Sequence, residues 1–122
     1  MKAAIVLSIA LVLTCATRGF AADQTWTGAI GDSHCGANPH PGVFKGAKIT
    51  GRECIVGRAE GPKVPGCIEA FGAQFILVVD GKVFKISNQD FAPLRQFAAE
   101  TVRLTGELSG DTITVKKIAP NK

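Results

Sequence analysis

Three cysteines and two histidines fall within one stretch of the chain. Asp32-Ser33-His34-Cys35-Gly36 is followed by His40, Cys54 and Cys67. Thiols and imidazoles in this arrangement support three kinds of chemistry. Two of the cysteines can close a disulfide, which typically contributes ~2–4 kcal/mol by restricting the unfolded chain. Any of the three pairs among Cys35, Cys54 and Cys67 satisfies that reading, and the third thiol is left free or available to link two copies. Alternatively, Cys35, Cys54 and Cys67 with His40, or with His34, make up a ligand set for zinc or copper. The spacing argues less for a metal than the residue types do, because twelve residues lie between Cys54 and Cys67 and no C-x-x-C knuckle occurs. Third, Cys35 can act as a nucleophile if His34 or His40 serves as its base and Asp32 orients that base.

The compartment weighs among these. Lys2 precedes an apolar run over residues 3–13, and Gly19-Phe20-Ala21-Ala22 supplies small residues for a peptidase. This is the grammar of a secretory signal peptide over residues 1–21, with a single domain following over 22–122. Its apolar run is too short for a transmembrane span. Val12-Leu13-Thr14-Cys15 offers a lipoprotein alternative, but Thr14 stands where a smaller residue is usual. Export to the periplasm or beyond favours persistent disulfides. An exported binding or structural module with a disulfide-tethered loop and no cofactor is therefore the leading expectation, with zinc or copper binding as its alternative and a thiol enzyme using Cys35 behind both.

The signal would take Lys2 and Arg18 with it, leaving twelve basic residues against ten acidic ones. So small an excess, spread along the chain, does not make the basic face that nucleic acid requires. Glycines do not fall in a phosphate-cradling pattern, and no C-x-x-C redox pair or haem-attachment motif occurs. The expected partner is a small ligand or an envelope protein.

The elements that must position the thiols are mostly strands. Residues 75–86 form the clearest unit: the apolar run 75–79 and the strand 83–86 flank Asp80-Gly81, a two-residue hairpin turn. The unbroken apolar run suits a strand covered on both faces. Residues 25–30 alternate with Trp26, Gly28 and Ile30 on one face. Residues 101–108 alternate with Val102, Leu104 and Leu108 inward, and 112–116 with Ile113 and Val115 inward. At Lys116-Lys117-Ile118 the alternation breaks, which predicts a bulge or strand end. Between the third and fourth of these strands, Asp90 is the expected cap of a short helix that turns Phe91, Leu94, Phe97 and Ala98 to one side. Residues 32–70 are dense in Gly and Pro and read as one long irregular loop, relieved by a helical turn over 67–71. Five strands with a helix between the third and fourth is the order of an OB-like Greek-key barrel.

The pattern Thr27-Gly28-Ala29-Ile30-Gly31-Asp32-Ser33-His34-Cys35-Gly36, the hairpin Asp80-Gly81-Lys82, and Thr105-Gly106-Glu107-Leu108 with Gly110-Asp111-Thr112-Ile113 resemble a family of small exported bacterial OB-like proteins of unassigned function. The similarity spans nearly all of residues 22–122. It implies a small β-barrel and an exported location, and no reaction. In the family pattern the two later cysteines lie close together before the Gly-Ala strand. Here Cys67 keeps that place, and Cys54 is set back behind a Gly/Pro-rich insertion.

Overall fold

The computed structural model describes residues 22–36 and 38–122. The expected signal peptide and the lipoprotein alternative at Cys15 lie outside these residues. Five long strands carry the fold: β1 (Gln24–Asp32), β4 (Phe75–Val79), β5 (Lys82–Ile86), β6 (Thr101–Ser109) and β7 (Thr112–Pro120). Each pairs with two others, so the sheet closes on itself in the order β1-β4-β5-β7-β6. Strand β1 makes this possible by serving two partners along its length. Its first part registers with β6, Gln24 opposite Gly106 to Ala29 opposite Thr101. Its second part registers with β4, Ala29 opposite Val78 to Asp32 opposite Phe75.

The alternation read from the sequence places the core. Ile30, Phe75, Leu77, Phe84, Ile86, Val102, Leu104, Ile113 and Val115 are buried together, with Leu94 and Ala98 from the segment between β5 and β6. Trp26 packs partly buried against this core, its ring 6.0 Å from that of Phe84. Ile76 and Val78 are buried as well, so β4 is the strand covered on both faces that its unbroken apolar run predicts. Asp80 and Gly81 both take positive φ, 48° and 79°, as a type I′ turn requires. The predicted bulge lies at Lys116: Thr105 faces Lys117 while Gly106 faces Val115, leaving Lys116 unopposed. Its amine turns outward to Asp23 at 2.8 Å and Glu107 at 3.1 Å.

Two expectations are corrected. Asp90 does not cap the helix α3 (Pro93–Gln96), whose N-cap is Ala92 without a side-chain bond. Pro93 fixes the first helical position, so Asp90 lies too far upstream to reach a free N–H. Residues 32–70 are also more regular than a loop. They hold the hairpin β2 (Gly42–Phe44) and β3 (Ala47–Ile49), then the helices α1 (Gly51–Val56) and α2 (Gly66–Phe71). Lys45 and Gly46, both at positive φ, turn the small hairpin. Among the described residues, no helix is long and apolar enough to cross a membrane.

The narrowest join in the closed sheet is the parallel pairing of β5 with β7, Lys85 opposite Thr112 and Ile86 opposite Ile113. Two side chains lengthen it. Asn88 donates to the carbonyl of Val115 and accepts from its N–H, both at 2.8 Å. Gln89 does the same for Phe75 at 2.9 and 2.7 Å, and its amide also donates to the carbonyl of Ile86 at 2.9 Å. These amides stand in for backbone at the ends of two ladders. Replacing Asn88 by Ala strands both groups of Val115, and an unpaired buried polar group costs roughly 1–3 kcal/mol. Urea unfolding of Asn88→Ala is therefore expected to show a loss of that size. Ser87→Ala, which removes an exposed hydroxyl pair with Thr114, stays within about 0.5 kcal/mol of the parent.

Candidate metal centre

The three cysteines of residues 32–70 sit on three separate pieces of chain, and local geometry brings each one in. Cys35 lies in the turn that ends β1. The carboxylate Oδ1 of Asp32 accepts the N–H of His34 at 2.8 Å and of Cys35 at 2.9 Å, and the N–H of Gly36 reaches the carbonyl of Asp32 at 2.7 Å. An Asp side chain closing the backbone that follows it is the usual reason for Asp at such a turn. The turn folds so tightly that a Cβ on Gly31 would stand 2.3 Å from the carbonyl oxygen of Gly36. Ser33 then ties the turn to the chain leaving α2: its N–H donates to the carbonyl of Gln74 at 2.8 Å, and its hydroxyl accepts the N–H of Gln74 at 2.9 Å. Cys35 is thereby fixed beside the segment that carries Cys67.

Cys54 sits in α1, which begins with a full capping box. Thr50 accepts the N–H of Glu53, and the Glu53 carboxylate accepts the N–H of Thr50, satisfying two free helix donors reciprocally. The Gly/Pro-rich insertion follows, and it folds as a pinched loop. Arg58 and Val64 exchange two backbone bonds, 2.9 and 3.2 Å. At the neck Gly57 and Gly66 touch: a Cβ on Gly66 would meet the nitrogen of Gly57 at 2.4 Å, and one on Gly57 would meet the carbonyl of Val64 at 2.3 Å. Both have positive φ, 77° and 64°. Only glycine meets both demands. With the loop closed at its neck, α2 begins where α1 ends, and the residues between Cys54 and Cys67 no longer hold them apart.

The three sulfurs converge. Those of Cys35, Cys54 and Cys67 all lie within 4.8 Å of one another, and those of Cys35 and Cys67 are 3.7 Å apart. A disulfide needs about 2.05 Å, so no pair is at bonding distance. Two thiolates on one tetrahedral zinc, each at about 2.3 Å from the ion, stand about 3.8 Å apart. Cys67 is buried, while Cys35 and Cys54 are half-buried. An apolar cleft of about 130 Å³ opens beside Cys54 and Cys67, walled by Phe44, Ile49, Val64 and Phe71 among others.

The surroundings of Cys35 and Cys67 favour their protonated thiols. Burial pushes the Cys67 thiol up to about 12, helped by its contact with Cys35 and by the charge of Asp32. Cys35 is also raised, first by burial. The contact with Cys67 pulls it partly back, and Asp32 and Cys54 push it up further. The histidines take no part in the sulfur group. His34 is exposed and stacks its ring on Phe71, centroids 4.3 Å apart and planes 13° from parallel. His40 is exposed, and neither it nor Asp32 is among the residues whose ligand atoms cluster. The sequence pattern therefore names the three thiols, and the structure leaves out the imidazole proposed with them.

Compared with protein-family models, with curated proteins and with solved structures, the chain matches none. The sulfur group has to be read from its own chemistry. A thiol raised to about 12 is almost wholly protonated near neutral pH, and only the thiolate alkylates. In reduced, metal-free protein at pH 7.5, Cys67 is expected to react with iodoacetamide on the order of a thousand-fold more slowly than an unfolded cysteine of ordinary pKa. Its rate should climb with pH through the range up to about 12. The folded state holds this proton more tightly than the unfolded chain. Stability of the metal-free protein is thus complete below about pH 8.5 and falls as pH rises above it. Peptide-resolved alkylation across pH 7–11 reads the first effect, and urea midpoints over the same range read the second.

Proposed function

We propose that the protein is an exported, small OB-like Greek-key barrel whose function is to bind a thiophilic metal ion, zinc or copper, through Cys35, Cys54 and Cys67. The observation that carries this reading is the convergence of three sulfurs from three chain segments, at separations suited to a shared ion and too long for a covalent bond. Thiolates are the ligands that zinc and cuprous ions prefer. The apolar wall beside Cys54 and Cys67 keeps water away from one side of the group, which strengthens metal–thiolate attraction.

The OB-like assignment is supported by the strand order. Counting only the long strands, the ring runs first-second-third-fifth-fourth, with the third and fifth parallel and α3 between the third and fourth. Export is supported by the grammar of residues 1–21, and the resemblance to the family of small exported OB-like proteins points the same way. A nucleophilic Cys35 is the weaker reading, because its thiol is raised rather than lowered and the neighbouring His34 ring is stacked on Phe71.

One observation favours a second reading. The sulfurs of Cys35 and Cys67, at 3.7 Å, need only a modest approach to form a disulfide, and an exported protein meets oxidants that would close it. Intact mass and metal analysis separate the two. Isolated without reductant, the mature chain is expected to carry one equivalent of zinc or copper and to expose three alkylatable thiols once the metal is chelated. Cys54→Ser should then weaken binding about a hundred-fold, since ligand and site geometry are lost together. A chain lighter by two hydrogens, with one alkylatable thiol and no metal, would replace the metal reading with the disulfide.

A further inference from the structure

The sulfur group is a set of three donors. Among the described residues, the ligand atoms that gather there are those of Cys35, Cys54 and Cys67, all within 4.8 Å of one another, and the Cys35 and Cys67 sulfurs are 3.7 Å apart. The neighbouring candidates are engaged elsewhere. The His34 ring lies against Phe71, His40 is exposed, and the Asp32 carboxylate accepts the N–H groups of His34 and Cys35. A zinc site closed by protein takes four ligands, so one of the four would have to come from outside this set. The space beside Cys54 and Cys67 does not favour it. Apart from the two thiols, the side chains lining that cleft of about 130 Å³ are apolar, among them Phe44, Ile49, Val64 and Phe71.

Charge points the same way. Three thiolates carry three negative charges. A cuprous ion leaves two of them uncompensated and a zinc ion leaves one, and uncompensated charge among buried, apolar groups is costly. A trivalent centre leaves none. Thiolates are soft ligands that select soft centres, and trivalent arsenic is one of these. It takes three sulfurs as its whole protein ligand set, arranged as the base of a pyramid, and a lone pair fills its fourth direction. That arrangement asks for no fourth donor and no water. Cys67 is buried and Cys35 and Cys54 are half-buried, so a neutral product suits this place better than an anionic one.

We propose that Cys35, Cys54 and Cys67 together take a trivalent arsenic-class oxyacid, arsenite or its antimony counterpart, as a neutral three-sulfur complex, in preference to zinc or a cuprous ion. The proposal rests on the reading of the three cysteines as one site for a thiophilic ion and names what that site holds best. Near neutral pH arsenite is the uncharged trihydroxide of arsenic. Each cysteine replaces one of its hydroxides: the S–H and As–O bonds break, an As–S bond forms, and the proton leaves with the hydroxide as water. Three exchanges release three waters. Arsenic stays trivalent and sulfur is not oxidised, so the step needs no further reactant.

The test uses the reduced full chain with the reductant removed. Native intact mass after addition of arsenite is expected to show one arsenic gained and three hydrogens lost per chain. With zinc bound first and a zinc-responsive dye present, arsenite is expected to release the zinc. Because it binds the folded chain better than the unfolded one, arsenite is also expected to raise the urea midpoint. Cys54→Ser, its fold checked by circular dichroism, is expected to bind arsenite at least about ten-fold more weakly, and the wild-type measurements stand whether or not this variant folds. Two hydrogens lost instead of three, zinc that arsenite does not displace, a urea midpoint that arsenite leaves unmoved, or a folded Cys54→Ser chain that binds as tightly would each overturn the proposal and leave the metal reading in place. A chain that takes up neither arsenite nor zinc nor a cuprous ion would instead overturn the thiol-site reading beneath it.

Discussion

The two hydrogen bonds from the backbone of His34 and Cys35 to the Asp32 carboxylate join the fold to the site. Asp32 is the last residue of β1, opposite Phe75 in the ladder with β4, and its burial is a consequence of that register. Strand β1 holds both β4 and β6, and its last residues are anchored in the ladder with β4. The turn that the carboxylate closes starts from that anchored end. Cys35 is thus held by the core of the molecule, although it is the first residue of the trio to leave it.

Cys54 and Cys67 are held differently. Neither is on the closed sheet, and the ladders there do not constrain them. Their meeting depends on the neck at Gly57 and Gly66, where two backbones touch closely enough to exclude any side chain. Arg58 secures the same neck through its backbone exchange with Val64 and through its guanidinium, which pairs with Glu53 at 2.9 Å. Glu53 is in turn the capping-box residue of α1. One side chain therefore couples the start of the helix bearing Cys54 to the loop that delivers Cys67. Arg95 adds a tie from α3, donating to the carbonyl of Val56 at 3.3 Å, so that the thiol-bearing helices are referenced back to the sheet.

What the sequence revealed follows from the range of the forces involved. Strands with one buried face write their period into the chain, and β1, β5, β6 and β7 were legible for that reason. The hairpin at Asp80-Gly81 and the bulge at Lys116 were legible because backbone conformation restricts residue type locally. The cap of α3 was misread because Asp90 has the right chemistry, while Pro93 decides where the helix starts. Asn88 and Gln89 gave no signal at all: an amide that replaces backbone across a sheet depends on a partner some 27 or 14 residues away. The separation of Cys54 from Cys67 seemed to count against a shared site. It does not, because Gly57 and Gly66, placed on either side of the insertion, cancel the intervening length. Paired glycines flanking a Pro-rich segment were the available clue.

Residues 33–70 make few ladders with the closed sheet, and few of their apolar side chains are buried. Among the described residues of that segment, Ile55, Val64 and Cys67 are the buried hydrophobic ones. A segment of this length loses much conformational entropy on ordering, and so small a core offsets little of it. Small domains with that deficit are commonly held by a disulfide or a metal. Either cross-link would act at the same place, because the three sulfurs tie the end of β1, α1 and α2 into one point. A disulfide between Cys35 and Cys67 joins only two of these elements and leaves α1 to its cap and to Arg58. An ion shared by all three sulfurs joins the third as well, and the free energy of its binding becomes folding free energy for the whole segment.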